Sequence, residues 1–122
     1  MTRSQQEHYD QVALIQWFDL QYPDLTPILA IPNGGHRHKA TAGRMKAEGV
    51  RAGVPDLLLP IARGGYHGLW IEMKTAKGRL TPEQRWWMER LRTEGYRVEM
   101  CRGFDAARAV VTEYLALEAS EN

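Results

Sequence analysis

The chain has 122 residues, a formal net charge of +1, 43% hydrophobic and 25% charged residues, and one cysteine, Cys101. That length suits one domain, residues 1–122, and the near-zero charge excludes a generally basic nucleic-acid coat. A lone cysteine excludes an intrachain disulfide or a cysteine-cluster zinc site, and no apolar run approaches the ~18 residues of a membrane span, so a cytoplasmic, non-membrane protein is expected.

The first element reads as a helix over about residues 5–21. Ser4 and Glu7 have the spacing of a capping box, Tyr22-Pro23 stops the helix, and Leu14 and Phe18 share a stripe flanked by Ile15 and Trp17. Residues 23–32 read as a turn and a short extended segment, 28–31. Asn33-Gly34-Gly35 is a turn, and a basic stretch leads into a short helix ending near Gly49. Residues 57–61 are an apolar strand, joined by the hairpin-like loop 63–68 to a second strand, 69–74. After the polar loop 75–80, Thr81-Pro82-Glu83-Gln84 starts a helix, with Thr81 as cap, Pro82 at the first helical position and Gln84 closing a second capping box. Gly95 ends that helix, residues 96–101 form a third strand, and residues 105 to about 118 form a closing helix. The order α, short β, α, β, β, α, β, α predicts an α/β fold, a mixed central sheet flanked by helices.

Chemistry concentrates at Pro55-Asp56 and, sixteen residues after the aspartate, Glu72-Met73-Lys74. Strand alternation puts Glu72 and Lys74 on one face and Ile71 and Met73 on the other. If the two strands run antiparallel, Asp56 and Lys74 share a sheet end with Glu72 close to both. Oxygen ligands of this kind suit Mg²⁺ or Mn²⁺, and a neighbouring lysine can polarise water or neutralise a phosphate, which points to phosphodiester cleavage. The same residues also fit a cross-strand salt bridge on a solvated face. Glu7 has two readings as well: the capping box explains it, yet it lies on the stripe of Leu14 and Phe18 and could enter a cleft. Gln84 could likewise serve its cap or reach a site at the helix N-terminus, where phosphate is favoured.

Residues 33–51 carry Arg37, Lys39, Arg44, Lys46 and Arg51 against Glu48 alone, between two acidic ends. Such a segment fits phosphate contact or a solvated loop. His36 and His38 lack further dedicated ligands, so a loop is a better reading than zinc. Of Trp86 and Trp87, about 100° apart on a helix, Trp87 is the expected core residue and Trp86 the surface one, a modest hint of a subunit interface.

Together these residues resemble the VRR-NUC family, the virus-type replication-repair nucleases of the PD-(D/E)xK superfamily. The matching stretches are Ile31-Pro-Asn-Gly-Gly, Gly49-Val-Arg-Ala-Gly-Val-Pro-Asp-Leu, Leu69-Trp-Ile-Glu-Met-Lys, Leu80-Thr-Pro-Glu-Gln and Gly95-Tyr-Arg-Val, and the similarity runs from Glu7 to about Val111. The chain looks like a small standalone member of the kind common in phages and prophages. The resemblance implies a restriction-endonuclease-like core and Mg²⁺- or Mn²⁺-dependent DNA hydrolysis leaving 5′-phosphate, in replication, recombination or repair. It implies that Asp56, Glu72 and the Met73 carbonyl hold metal, with Glu7 completing the shell through water. Lys74 would position the water or stabilise the transition state, and Gln84 would orient one of them. It also implies a homodimer and makes branched, Holliday-junction-like DNA a credible substrate. Asn33, Arg37, Lys39, Arg44, Lys46, Lys77 and Arg79 are the candidates for DNA contact, and a non-cleaving junction-binding module on the same scaffold is the alternative.

Overall fold

The computed structural model describes residues 1–32 and 39–119. Among these residues the elements are α1 (Arg3–Gln21), β1 (Leu29–Ala30), α2 (Lys39–Ala47), β2 (Leu57–Leu59), β3 (Leu69–Lys74), α3 (Pro82–Thr93), β4 (Arg97–Arg102) and α4 (Phe104–Leu115). The four strands form one mixed sheet in the order β1-β2-β3-β4. The β1/β2 and β2/β3 pairs are antiparallel, while β3 and β4 run parallel across the α3 crossover.

Alternation along β3 divides the molecule into two layers. Leu69, Ile71 and Met73 join Leu14, Phe18, Leu57, Leu59, Val111 and Tyr114 in a core beneath α1 and α4. Trp70 joins Met88 and Val98 in a smaller core beneath α3, with Leu58, Leu91 and Met100 packed against it. Glu72 and Lys74 follow Trp70 at two-residue steps, so they extend the α3-side face towards the C-terminal end of the strand. That face is therefore apolar at one end and ionisable at the other.

Several boundaries move for physical reasons. The α1 cap is Thr2, not Ser4: its hydroxyl accepts the Gln5 N–H at 3.1 Å while the Gln5 side chain accepts the Thr2 N–H at 2.8 Å. The capping box expected at Ser4 and Glu7 is thus replaced by one two residues earlier, and Glu7 is released from that duty. β2 ends at Leu59 because Pro60 has no N–H to continue a ladder. α3 begins as predicted, with Thr81 as cap and Gln84 completing the box. It ends at Thr93, ahead of Gly95 at φ 94°.

Candidate active site

The β2/β3 register pairs Leu57 with Ile71, which places Asp56, one residue before β2, beside the Glu72–Met73 step. The contact is direct: Asp56 Oδ2 accepts the Met73 backbone N–H at 2.8 Å. That bond anchors the aspartate between Glu72 and Lys74. Glu72 is 3% exposed, an ionisable side chain inside a strand buried on both faces. Its Oε2 lies 3.9 Å from Lys74 Nζ, and its Oε1 has no hydrogen-bond partner among the described residues.

Burial is the main reason that the Glu72 carboxyl is pushed up to about 9; the charge of Asp56 and a hydrogen bond to it add to the rise, and Lys74 only partly opposes it. Glu7 belongs to the same electrostatic group. Its carboxyl is raised by burial, drawn down by Lys74 and raised again by Asp56. Four side chains from α1, the β2 entrance and β3 are therefore mutually coupled. A buried carboxyl raised this far keeps its proton in the metal-free protein, and an oxygen-seeking divalent cation is a species that could take that proton's place. Asp56 and Glu72 are the donors it would use first. Among the described residues no group of three or more His, Cys, Asp or Glu forms a ready metal cage, so main-chain or water oxygens would have to complete the shell.

A model of the VRR-NUC domain matches residues 5–105. The chain belongs to the VRR-NUC domain family. A solved chain described as a VRR_NUC domain protein is similar at 33% identity and a TM-score of 0.82, over 95% of this chain and 93% of that one. No curated protein matches the sequence. VRR-NUC proteins are in general nucleases, so the fold is of nuclease type and implies contact with DNA. No helix among the described residues is long and apolar enough to cross a membrane.

The other residues expected to matter in a VRR-NUC protein divide by position. Gln84 is engaged in its cap, its Oε1 accepting the Thr81 N–H at 2.9 Å, and no described contact joins it to Lys74. Lys77 and Arg79 are exposed in the loop directly after Lys74. Lys46 is exposed on α2, Lys39 opens that helix, and Arg44 forms an exposed pair with Glu48 at 3.4 Å. Asn33 and Arg37, like His36 and His38, lie outside the described residues. Trp86 is 51% exposed, as expected, but Trp87, expected in the core, is only half-buried, and Met88 is the α3 residue that the core buries.

Two residues that support the site escape a reading of motifs. Gly53, at φ 91°, passes so close to α3 that a Cβ there would lie 2.7 Å from the Glu83 carbonyl carbon and 2.9 Å from the Gln84 nitrogen. This contact sets the segment leading into Asp56 against the first turn of α3, and the Gly-Val-Pro-Asp run was its available signal. Arg102 is the other, paired with Lys74 in the parallel register. Its signal appears only once the strands are aligned.

Proposed function

We propose that the chain is an Mg²⁺- or Mn²⁺-dependent DNA endonuclease that prefers branched DNA. The carrying observation is Glu72, buried against Asp56 with an unpartnered oxygen and a lysine at its open end. A salt bridge alone explains it poorly, because Lys74 at 3.9 Å leaves the carboxyl still strongly raised.

In this reading Asp56, Glu72 and the Met73 carbonyl hold the cation, and Glu7 completes the shell through water. When bound, the cation polarises the scissile phosphate and acidifies a water molecule. Asp56 is pre-oriented by the Met73 N–H, which fixes its carboxylate beside Glu72. Lys74 places its ammonium where negative charge grows on the phosphate, or holds the attacking water. Gln84 is assigned to orient that lysine or water from the α3 N-terminus. Hydrolysis with a 3′-oxygen leaving group gives 5′-phosphate ends. Lys77 and Arg79, together with Asn33, Arg37, Lys39, Arg44 and Lys46, supply backbone contacts, which give affinity without reading bases. Two copies would bring two sites to two strands of a junction, and exposed Trp86 is a surface that such pairing would cover.

The test is cleavage of labelled linear, flap and four-way DNA with Mn²⁺ or Mg²⁺ by the wild type and by Asp56→Ala and Lys74→Ala. Each variant is expected to lose about 1,000-fold or more in nicking rate, at the scale of removing a key charge-stabilising group, with its circular dichroism unchanged. Metal-dependent cutting by both variants would overturn the assignment. Junction binding without cutting in any divalent metal would instead assign a non-cleaving module.

A further inference from the structure

The β3–α3 loop begins immediately after Lys74, and Arg102 holds it from the neighbouring strand. One guanidinium nitrogen, Nη1, donates to the carbonyl oxygens of Thr75 at 2.8 Å, Ala76 at 3.1 Å and Gly78 at 2.6 Å. Three main-chain carbonyls converge on the two N–H groups of one cationic nitrogen, so charge-assisted bonds hold the turn and at least one N–H is shared. The turn they belong to is also closed by the Gly78 N–H donating to the Thr75 carbonyl at 3.2 Å.

This turn folds back onto the lysine. A Cβ at Gly78 would lie 3.3 Å from Lys74 Cδ, so the Gly78 backbone forms a wall against the lysine stem. The strand end is pinned from the same side, where the Gly103 N–H donates to the Lys74 carbonyl at 3.1 Å. Lys74 and Arg102 are register partners on adjacent parallel strands. Two cations at such a pair would ordinarily repel. Here exposed Arg102 turns its guanidinium to the loop carbonyls and solvent, and Lys74 faces Glu72.

We propose that Arg102 is a positioning residue: by caging the Thr75, Ala76 and Gly78 carbonyls it seats the turn against the Lys74 stem and fixes the ammonium beside Glu72. The inference rests on the nuclease reading for its effect on rate, but the cage itself can be tested without activity. A lysine has enough room at four carbons and enough donors at its ammonium to replace part of the cage, and alanine has neither. A small displacement of a catalytic group can lower a rate by about 100-fold.

The experiment compares wild type, Arg102→Ala, Arg102→Lys and Gly78→Ala. Single-turnover cleavage is measured with Mn²⁺ and saturating protein, DNA affinity in EDTA, and hydrogen exchange at the Gly78 amide. Arg102→Ala should cut about 10- to 100-fold more slowly, with DNA affinity within about 3-fold of wild type. Its Gly78 amide should exchange at least about 10-fold faster, reporting an opened turn. Arg102→Lys should recover part of both losses. Gly78→Ala should slow cutting with the arginine intact, since its methyl displaces the lysine stem. Wild-type rates in Arg102→Ala would overturn the proposal, as would a rate loss matched by an equal loss of affinity, which would make Arg102 a DNA contact. If Arg102→Ala fails to fold, Arg102→Lys and Gly78→Ala decide the matter by the same readouts. If the wild type does not cut DNA at all, the nuclease reading fails, and unchanged Gly78 exchange in Arg102→Lys and Arg102→Ala would show separately that the cage is absent.

Discussion

Glu72 is the ionisable side chain that the described core buries, and ionising it should cost the metal-free protein stability. Its carboxyl is pushed up to about 9 from 4.5, chiefly by burial. A group that holds its proton more tightly when folded stabilises most below its unfolded value, and that stability is lost as pH rises towards the folded value. Metal-free wild type should therefore lose stability between about pH 4.5 and 9 relative to Glu72→Gln, which has no proton to lose. The two urea-derived stabilities should diverge by at least about 2 kcal/mol across that range. Parallel pH curves in EDTA would refute the buried-acid account. Added Mg²⁺ or Mn²⁺ should narrow the gap, because a ligand that binds only the folded wild type stabilises it. Glu7 offers a gentler contrast. Since Thr2 and Gln5 form the cap, Glu7→Gln should leave the melting temperature within a few degrees, corresponding to less than about 0.5 kcal/mol. It should still slow metal-dependent cutting, so an unchanged rate would remove Glu7 from the site.

At the scale of elements, the site is as good as the contact between the Asp56 segment and α3. Gly53 makes that contact with a left-handed backbone and no room for a methyl group. Gly53→Ala must either strain the backbone or push α3 away, and should destabilise the protein by about 2 to 4 kcal/mol as read from its urea midpoint. A loss under about 0.5 kcal/mol would show that the contact is loose. Thr81→Ala removes the α3 cap and should cost about 1 kcal/mol. Both contacts show what the chain makes legible before folding. β3 was readable to the residue because period-two alternation continues from Leu69 to Lys74, and the α3 start was readable because Thr81, Pro82 and Gln84 agree. The α1 start was ambiguous because Thr2-x-x-Gln5 and Ser4-x-x-Glu7 both satisfy the same local rule, and local rules do not choose between overlapping caps. The ties from Asp56 to Met73 and from Arg102 to the loop were illegible for a different reason. They join residues 17 and 24–27 positions apart, and only the strand register brings them together.

Across the whole molecule, the sheet separates stability from chemistry. Under α1 and α4 the sheet presents apolar side chains, with Glu7 as the acid that α1 brings to the site, while its α3 face passes from Trp70 to Glu72 and Lys74. The antiparallel β2/β3 pair also has two unlike ends: Asp56 precedes it near Glu72, whereas Leu59 pairs with Leu69 at the other. Just beyond that distant end, buried Tyr114 on α4 donates its hydroxyl to the Ile61 carbonyl at 2.6 Å. This bond links the closing helix to the β2–β3 connection. Tyr114→Phe keeps the ring and leaves the buried Ile61 carbonyl without that donor, which should cost about 1 to 2 kcal/mol. The urea midpoint should fall at an unchanged slope, because the surface exposed on unfolding is the same. Cutting per folded molecule, measured well below the transition, should remain within about 2-fold of wild type, since packed sites this far apart behave almost additively. A larger rate loss without unfolding would mean that the α4 end of the sheet is coupled to the carboxylates and that the two ends do not act independently.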